Sequence, residues 1–481
     1  MRRLVRSTAI LGLGSIAAVV AAILRAKILA SWLGPEGTGI LAQLSTLTAL
    51  LVPLATLGVG NGVVTMIAEA RARGDAERIR RVEAAARTIA WSVGGALALA
   101  SIVAAPWLAR AIYRDPAFAW AVMLGAATVP FSAVASVRTS MLQGHEAVRS
   151  NALLTTIMAV VGVATVVPLA WYFKVEGAVA QLVLVAAVWA WMAGRLLRPH
   201  TAVGARPWGV DRALWRPLIR YGGAALLVGL SSTLTLLVIR SILVERLGLA
   251  ENGIYQVCVG VSGMVMPLVL NSITANVWPE IAAKPRDEDA AEPMRSAVRL
   301  GILLTTGLLS ALVIGSPLWV PLFYSGKFLP ALDLLPIQFL GDFFRCAAWM
   351  FGIWLVPRNR LKPWALFDVV YGVAMIAGFF FLEPRFGLKS VVIAYVFAHI
   401  SHAVLHYGYA RRHANFRLGP ANLRLMLGSL ALFLGLIAWT PKTLPQMGIG
   451  IAAWAAWALL VVRPHEWQGL WRRVRQRLPG A

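Results

Sequence analysis

The segment from Thr8 to Gly39 most constrains what this chain can fold into. It reads TAILGLGSIAAVVAAILRAKILASWLGPEGTG, an apolar run that closes on a Gly/Pro turn. A hydrocarbon core of about 30 Å takes roughly 20 helical residues, so the run is long enough to cross a membrane. Arg25 and Lys27 nevertheless lie inside it. Because cations are costly at that depth, they indicate a protein-lined or hydrated cavity where they meet an anion.

The composition is that of a polytopic membrane protein. The chain has 481 residues, of which 59% are hydrophobic and only 14% are charged. The first apolar run exceeds the apolar region of a signal peptide and lacks a clear cleavage site, so we expect it to be retained. The two cysteines, Cys258 and Cys346, fall in apolar segments and show neither a disulfide framework nor metal spacing.

The predicted fold class is an all-α membrane protein with fourteen transmembrane helices. The apolar segments lie at about 8–32, 38–67, 88–112, 117–140, 152–173, 177–197, 221–243, 253–279, 297–322, 331–356, 363–382, 388–409, 425–440 and 446–462. Most lysines and arginines between them fall in connections on the side of the N-terminus, so the positive-inside rule predicts that both termini are cytoplasmic. The net charge of +24 is then topological, which argues against a nucleic-acid partner.

An internal repeat divides the chain. Leu33 to Gln43, LGPEGTGILAQ, resembles Leu247 to Gln256, LGLAENGIYQ, and Arg240 precedes the second copy much as Arg25 precedes the first. Six predicted spans separate the copies, so they have the same orientation, and we expect two six-helix lobes related by a parallel repeat. The predicted organisation is an N-terminal lobe (1–197), a cytoplasmic linker (198–220), a C-terminal lobe (221–412), and two additional helices with a basic cytoplasmic tail (413–481).

The cations inside the predicted spans are the first candidate site. The forked guanidinium of arginine suits phosphate oxygens, so Arg25, Lys27 and Arg240 indicate an anionic ligand with a diphosphate. The alternative is that these side chains extend to the outer headgroups of the membrane, most readily for Lys27 and Arg240.

A glycine cluster, Gly58-Val59-Gly60-Asn61-Gly62, lies within the second predicted span. So many glycines weaken a helix, and they are compatible with close helix packing. The other interpretation is a locally unwound helix that exposes Asn61 to a cavity.

Charged and imidazole groups recur in the predicted tenth to twelfth spans. Asp342 and Arg345 share a helix face, which fits either an intrahelical ion pair or a contact with a coupling ion or substrate. Asp368 is either part of that site or interfacial. His399, His402 and His406 lie near one face of the twelfth span, where a fourth zinc ligand is lacking; they are core histidines or proton-coupling groups.

No catalytic or cofactor-binding motif accompanies these groups. The chain lacks a nucleophile elbow, a phosphate-binding loop, a zinc-protease motif and a dinucleotide fingerprint in a supporting context. We therefore expect a protein that is not an enzyme and that holds no metal or cofactor. The charged cytoplasmic connections are expected to contact anionic membrane lipids.

The turn and the repeat also resemble a known family, the Wzx-type flippases of lipid-linked oligosaccharides in the multidrug/oligosaccharidyl-lipid/polysaccharide exporter superfamily. The resemblance covers roughly the first twelve predicted spans. It rests on Leu33-Gly34-Pro35-Glu36-Gly37 with Gly39, Asn61-Gly62-Val63, Gly253-Ile254-Tyr255-Gln256, and the block Lys327-Phe328, Asp333-Leu334, Gln338, Gly341-Asp342 and Arg345. That last block is most similar to the enterobacterial common antigen flippases. The sequence departs from that branch in its two additional C-terminal spans, which puts the identity of the glycan in question.

The resemblance implies a V-shaped exporter fold in the bacterial inner membrane. It implies movement of an undecaprenyl-diphosphate-linked oligosaccharide, an O-antigen or common-antigen repeat unit, from the cytoplasmic to the periplasmic leaflet by alternating access. Related lipid II flippases carry a functional arginine shortly before the equivalent first turn, and Arg25 matches it. The candidate substrate-binding residues are Arg25, Lys27, Asn61, Arg240, Gln256 and Gln338, and the candidate ion-coupling residues are Asp342, Arg345 and Asp368.

Other functions stay open at this point. A lipid II flippase is the alternative within the class, and an ion-coupled multidrug exporter of the same fold is the first rival, although cations in the first span disfavour cationic drugs. A membrane glycosyltransferase or polymerase would need larger outer loops than this chain has. A proton or sodium gradient is the candidate energy source, and a glycan polymerase and other assembly proteins are the candidate protein partners.

Overall fold

The computed structural model describes the backbone of residues 2–201, 209 and 211–461; within these, side chains are described except at 2–19, 212, 221–222, 224–225 and 227–228. No β-strand occurs in this part of the chain. The helices are α1 (Arg2–Thr56), α2 (Gly60–Ala72), α3 (Ala76–Val103), α4 (Ala105–Tyr113), α5 (Ala119–Gly144), α6 (Val148–Leu197), α7 (Arg212–Leu247), α8 (Leu249–Ala282), α9 (Ala291–Phe323), α10 (Leu335–Gly352), α11 (Leu361–Phe386), α12 (Lys389–His413), α13 (Pro420–Ala438) and α14 (Leu444–Val461).

Helix α6 folds back on itself at Lys174, where φ is 49°. A Cβ atom on Gly177 would lie 2.0 Å from the carbonyl oxygen of Leu169, whereas in a straight helix these residues would be about 12 Å apart. The Gln181 side chain likewise reaches the Gly162 carbonyl at 2.9 Å. The chain therefore reverses between the predicted segments 152–173 and 177–197.

Helix α1 is interrupted at Gly34, where φ is 68° and ψ is −169°. Glycine tolerates this conformation because it lacks a Cβ atom, and Pro35 follows with its fixed φ. The two interruptions lie side by side. Trp32 packs edge-on against Trp171 with ring centroids 5.1 Å apart, and a Cβ on Gly37 would lie 3.1 Å from Val175. The sequence correctly places a turn at the Gly/Pro dipeptide.

The glycine cluster in the second predicted span shows both properties that the sequence left open. The helix breaks there, because α1 ends at Thr56, α2 begins at Gly60, and both Leu57 and Gly58 have positive φ. Two residues further on, a Cβ on Gly62 would lie 2.7 Å from the Leu218 carbonyl oxygen of α7, so the backbones pack closely.

Ten helices within the described residues are long and apolar enough to cross a membrane. Two of them, Val20–Thr56 with 37 residues and Val148–His200 with 53, contain the interruptions at Gly34 and Lys174 and exceed the roughly 20 residues that one crossing takes. The structure therefore shows a multi-pass, all-helical membrane protein. The count of fourteen spans remains a prediction.

The chain forms two compact units, the first comprising residues 1–256 and 322–327 and the second comprising 257–321 and 328–481. The core of the first unit is built largely from α1, α3, α5 and α6, with Leu44, Ile89 and Val129 fully buried. In the second unit, the two additional C-terminal helices are α13 and α14, and α14 contacts both α9 and α13. Trp454 of α14 donates to the Gly307 carbonyl of α9 at 3.2 Å, and Trp457 donates to Ser429 of α13 at 3.2 Å. The predicted lobe boundaries and basic linker remain predictions; most of 202–210 and the tail from 462 lie outside the described residues.

Candidate functional site

Arg25 is held by the hairpin of α6. One of its terminal nitrogens donates to the Gln181 Oε1 at 3.1 Å. Gln181 is completely buried, and its Nε2 donates in turn to the Gly162 carbonyl at 2.9 Å and to Thr165 Oγ1 at 3.2 Å. The arginine is therefore positioned by a neutral amide rather than by a carboxylate. A neutral partner fixes the direction of the guanidinium and leaves its charge for an anionic ligand.

Lys27 lies two residues further along the same helix and is also held by an oxygen without formal charge. Its ammonium donates to the main-chain carbonyl of Tyr324 at 2.8 Å, which Ser31 also contacts at 3.3 Å. Arg25 and Lys27 are both half-buried and lie within the first unit.

Arg240 on α7 is 1% exposed, and two amide side chains of α8 surround its guanidinium. It donates to Asn252 Oδ1 at 2.6 Å and to Gln256 Oε1. The ring of Tyr255 lies 5.5 Å from the guanidinium carbon, a cation–π distance. The structure thus brings together two of the predicted site residues, Arg240 and Gln256. It does not bring Arg25 into this cluster.

The repeated glycines pack against one another's helices, an arrangement that we call the glycine clasp (Pro35, Gly39, Leu249, Asn252 and Gly253). A Cβ on Gly39 would lie 2.0 Å from the Leu249 carbonyl oxygen, and one on Gly253 would lie 1.8 Å from the Pro35 carbonyl oxygen. Only glycine permits such an approach of two backbones. Asn252 Nδ2 donates to the Gly39 carbonyl at 2.9 Å, which ties the clasp to Arg240.

Asn61 is exposed at the start of α2, directly after the break in the helix. This position fits the interpretation in which the break presents Asn61 outside the packed core. The described contacts do not join it to Arg25, Arg240 or Gln256.

In the second unit, Asp342 is completely buried and is surrounded by hydrogen-bond donors. Its Oδ1 accepts from the Tyr395 hydroxyl at 2.9 Å, and its Oδ2 accepts from the Ser262 hydroxyl. Arg345 lies 3.8 Å from Oδ1 and keeps 38% of its side chain exposed. Gln338 joins the cluster through Ser262 at 3.4 Å. The predicted ion pair is present, although neutral hydroxyls make the shorter contacts.

Asp368 contacts the histidines of α12 rather than Asp342. Its Oδ1 lies 3.3 Å from His402 Nε2, and His402 Nε2 lies 3.0 Å from His406 Nε2. Among the described residues no group of His, Cys, Asp and Glu side chains could hold a metal ion.

Four polar residues of these clusters were missed from sequence: Gln181, Asn252, Ser262 and Tyr395. Gln181 and Asn252 could have been identified as candidate site residues from the sequence. Gln181 is a lone amide in an otherwise apolar segment, and Asn252 lies inside the second copy of the repeat. Ser262 and Tyr395 are ordinary residues of membrane helices, and only the packing of α8, α10 and α12 reveals their role.

The fold is similar to the folds of two solved membrane transport proteins. A solved structure described as the lipid II flippase MurJ in an inward closed conformation matches with a TM-score of 0.72 and 12% identity, over 95% of this chain and 98% of that one. A multidrug resistance MATE family transporter of the MOP superfamily, in an inward-facing conformation, matches with a TM-score of 0.70 and 15% identity, over 83% of this chain and 97% of that one.

Residues 4–283 match the family described as polysaccharide biosynthesis protein, and the chain belongs to this family. Two similar relatives are the lipid III flippases of Escherichia coli (strain K12) and Shigella flexneri. Each is 22% identical in an alignment of 393 positions that covers 79% of this chain and 92% of the relative. The relatives are flippases and transporters, which fits the prediction that this protein is not an enzyme.

Proposed function

We propose that this protein is a flippase for an undecaprenyl-diphosphate-linked oligosaccharide, an O-antigen or common-antigen repeat unit. It moves the lipid from the cytoplasmic to the periplasmic leaflet of the bacterial inner membrane by alternating access. A diphosphate cannot cross hydrocarbon unaided, because burying its charge without a partner costs more than ordinary binding supplies. A path with cations at membrane depth lowers that barrier.

The observation that carries the proposal is the pairing of Arg25 with Gln181. A buried amide, itself fixed by two further hydrogen bonds, aims the guanidinium without neutralising it. Charged side chains inside a membrane usually pair with one another or with backbone carbonyls, whereas Arg25 donates to a side-chain amide. Arg25 therefore meets the requirement for a diphosphate contact, with Lys27 as the second cation on the same helix.

Arg240 contacts the substrate in a different state of the transport cycle. It is 1% exposed and lies behind the glycine clasp, so a substrate reaches it only when the clasp opens. The predicted topology places the clasp at the periplasmic side. Its opening would free the Arg240 guanidinium from Asn252 and Gln256 at the stage when the substrate leaves. Gln256, Gln338 and Asn61 are proposed contacts for sugar hydroxyls.

Complementation tests the role of Arg25. A strain that lacks its own lipid-linked oligosaccharide flippase receives the wild type, Arg25→Ala, Arg25→Lys or the control Arg110→Ala, which removes an exposed arginine of α4. We expect rescue by the wild type and by the control, weak rescue by Arg25→Lys, which loses the fork, and none by Arg25→Ala. Immunoblots of membranes establish equal protein levels.

Full rescue by Arg25→Ala at equal levels would refute diphosphate binding at this position. The same plasmids in a strain depleted of its lipid II flippase distinguish the two substrates within the class. Rescue of that strain alone would replace the proposed substrate by lipid II.

A further inference from the structure

A pocket in the first unit lies between α1, α5 and α6, and we call it the hydroxyl pocket. Its volume is about 240 Å³, slightly below the roughly 300 Å³ at which small-molecule sites begin. None of the described residues that line it is charged. A pocket of this size and character has room for one neutral ring, and it is suited neither to a diphosphate nor to a whole oligosaccharide.

Four hydroxyl groups line the pocket, those of Ser45 and Thr48 on α1 and those of Thr128 and Ser132 on α5. Thr48 donates to the Ser45 carbonyl at 3.0 Å and Thr128 donates to the Gly125 carbonyl at 2.6 Å, so both threonine oxygens keep lone pairs that accept. The hydroxyls of Ser45 and Ser132 form no hydrogen bond within the described part of the chain, so both can donate. The pocket therefore offers donors and acceptors together, as the hydroxyls of a sugar require.

Helix α6 contributes an aromatic surface to the same pocket. Trp189 lines it together with Leu182. Trp189 is half-buried and packs in part against the core of the first unit, which holds the indole in place. An indole presents a broad apolar face, and the C–H face of a sugar ring can pack against it while the sugar hydroxyls point to the sides. An aromatic wall with a few placed polar groups is typical of a small-molecule site.

The face of α1 that lines the pocket differs from a face that meets lipid. On the core side of this helix Leu44 and Leu51 are buried. The exposed residues of α1 after position 40 are Ser45 and Ala49, whereas α6 exposes large apolar side chains such as Leu184, 44% exposed. Small and hydroxyl residues of membrane helices usually lie against another helix. Here no described helix covers Ser45 and Ala49, so this face is open to a ligand.

The pocket begins at the level of Arg25. The hydrogen bond between Arg25 and Gln181 places these two residues side by side, and Leu182 of the pocket directly follows Gln181. Trp189 lies eight residues beyond Gln181 on the same helix, a distance of about 12 Å at the rise of about 1.5 Å per residue. A sugar bonded directly to a diphosphate at Arg25 can therefore reach the hydroxyl pocket.

We propose that the hydroxyl pocket binds the sugar ring that is attached directly to the diphosphate of the substrate. The inference rests on the proposed function, in which Arg25 holds that diphosphate. Trp189 packs against the face of the ring, and the hydroxyls of Ser45, Thr128 and Ser132 exchange hydrogen bonds with the hydroxyls of the sugar. The pocket thus distinguishes a glycosylated lipid diphosphate from a bare one.

Binding of defined lipids to the purified full-length protein tests the pocket. The probes are undecaprenyl diphosphate and the same lipid carrying one glucose or one N-acetylglucosamine, and microscale thermophoresis in detergent gives each Kd. The variants are Trp189→Ala and Ser132→Ala, of which the second removes a hydroxyl that the described fold does not use. The matched control is Trp191→Ala, a 55% exposed tryptophan of the same helix. Arg25→Ala reports on the diphosphate contact, and melting curves show that each variant is folded.

We expect the wild type and Trp191→Ala to bind a glycosylated lipid about tenfold more tightly than the bare one. This ratio should fall to about twofold in Trp189→Ala and to about threefold in Ser132→Ala, with the affinity for the bare lipid unchanged. Arg25→Ala should weaken binding of all three lipids equally.

The outcomes separate the pocket from the flippase assignment. If the wild type binds the bare lipid but gains nothing from either sugar, the pocket assignment is overturned and the flippase assignment stands. The same holds if the ratio is unchanged in either pocket variant, or if Trp191→Ala reduces it as much as Trp189→Ala does. A wild type that binds none of the three lipids would overturn the proposed function, and the pocket assignment with it.

Discussion

Two buried charges, one in each unit, are stabilised in opposite ways. Arg240 in the first unit is a cation held by the side-chain oxygens of two amides, Asn252 and Gln256. Asp342 in the second unit is a carboxyl group that accepts from two hydroxyls, with Arg345 at the longer distance of 3.8 Å. The Arg240 site is buried and its hydrogen-bond acceptors are neutral. Asp342, by contrast, lies beside the oppositely charged Arg345, whose side chain is still 38% exposed.

The difference fits the two roles that we propose for these residues. A cation with only neutral partners keeps its attraction for an anionic ligand, so the Arg240 site is suited to a diphosphate once it opens. An acidic side chain that is buried beside a cation remains the candidate for ion coupling.

Gly253→Ala should have the largest effect, because the new Cβ would lie 1.8 Å from the Pro35 carbonyl oxygen and the backbones would have to separate. We expect a loss of about 3 kcal/mol in the free energy of unfolding in detergent. Gly263→Ala on the same helix is the control, since a Cβ there meets nothing within 4 Å. It should be neutral or stabilising by up to about 1 kcal/mol. Equal effects of the two substitutions would show that the clasp is not tightly packed.

Removal of the two buried charges should be unequally tolerated. Arg240→Ala leaves the amide oxygens of Asn252 and Gln256 without their donor, and we expect a cost of about 2 kcal/mol. Asp342→Asn keeps the shape of the side chain and an acceptor for Tyr395, so its cost should be about 1 kcal/mol. Chemical denaturation of both variants checks the order. A larger cost for Asp342→Asn would mean that the charge of Asp342, rather than its hydrogen bonds, holds the second unit together.

The smallest effect is expected for the surface ion pair between Arg81 and Asp211. Its removal measures how much an exposed pair contributes to the stability of this protein. The Arg81 guanidinium donates to Asp211 and holds the pKa of that carboxyl below its usual range. A lowered pKa stabilises the folded state above the usual pKa of about 4 and loses that contribution as the pH falls through the folded-state value. Asp211→Asn preserves the cap that residue 211 provides to α7, since asparagine is an equally good cap.

Thermal unfolding of wild type and Asp211→Asn at neutral and acidic pH measures this contribution. We expect the wild type to be slightly more stable at neutral pH and the difference to vanish in acid. A difference that grows on acidification would contradict the assigned direction of the pKa shift.

The sequence was sufficient for the features that depend on local chemistry. Gly34-Pro35 marked a turn, the glycines around Asn61 marked a break, and the repeat paired Gly39 with Gly253 as equivalent positions. It also placed Asp342 and Arg345 on one face of a helix. Each of these follows from neighbours in the chain or from a direct sequence comparison.

The contacts that define the candidate sites could not be predicted from the sequence, because they join residues that are far apart in the chain. Arg25 and Gln181 are 156 positions apart, and Asn252 and Gly39 are 213 apart. No spacing rule indicates that the two repeated glycines pack against each other's helices, since periodicity reports a face and not its partner. For the same reason the histidines of α12 could be placed on one face, but their link to Asp342 through Tyr395 could not be foreseen.

The most direct test of the flippase assignment is a sided measurement of the lipid-linked oligosaccharide. In flippase-deficient cells, a membrane-impermeant reagent that labels the glycan from the periplasm reports how much lipid has reached the outer leaflet. We predict that the wild-type protein restores periplasmic labelling and that Arg25→Ala, at equal membrane level, leaves the lipid on the cytoplasmic side. Unchanged labelling with the wild type, or full labelling with Arg25→Ala, would contradict the account.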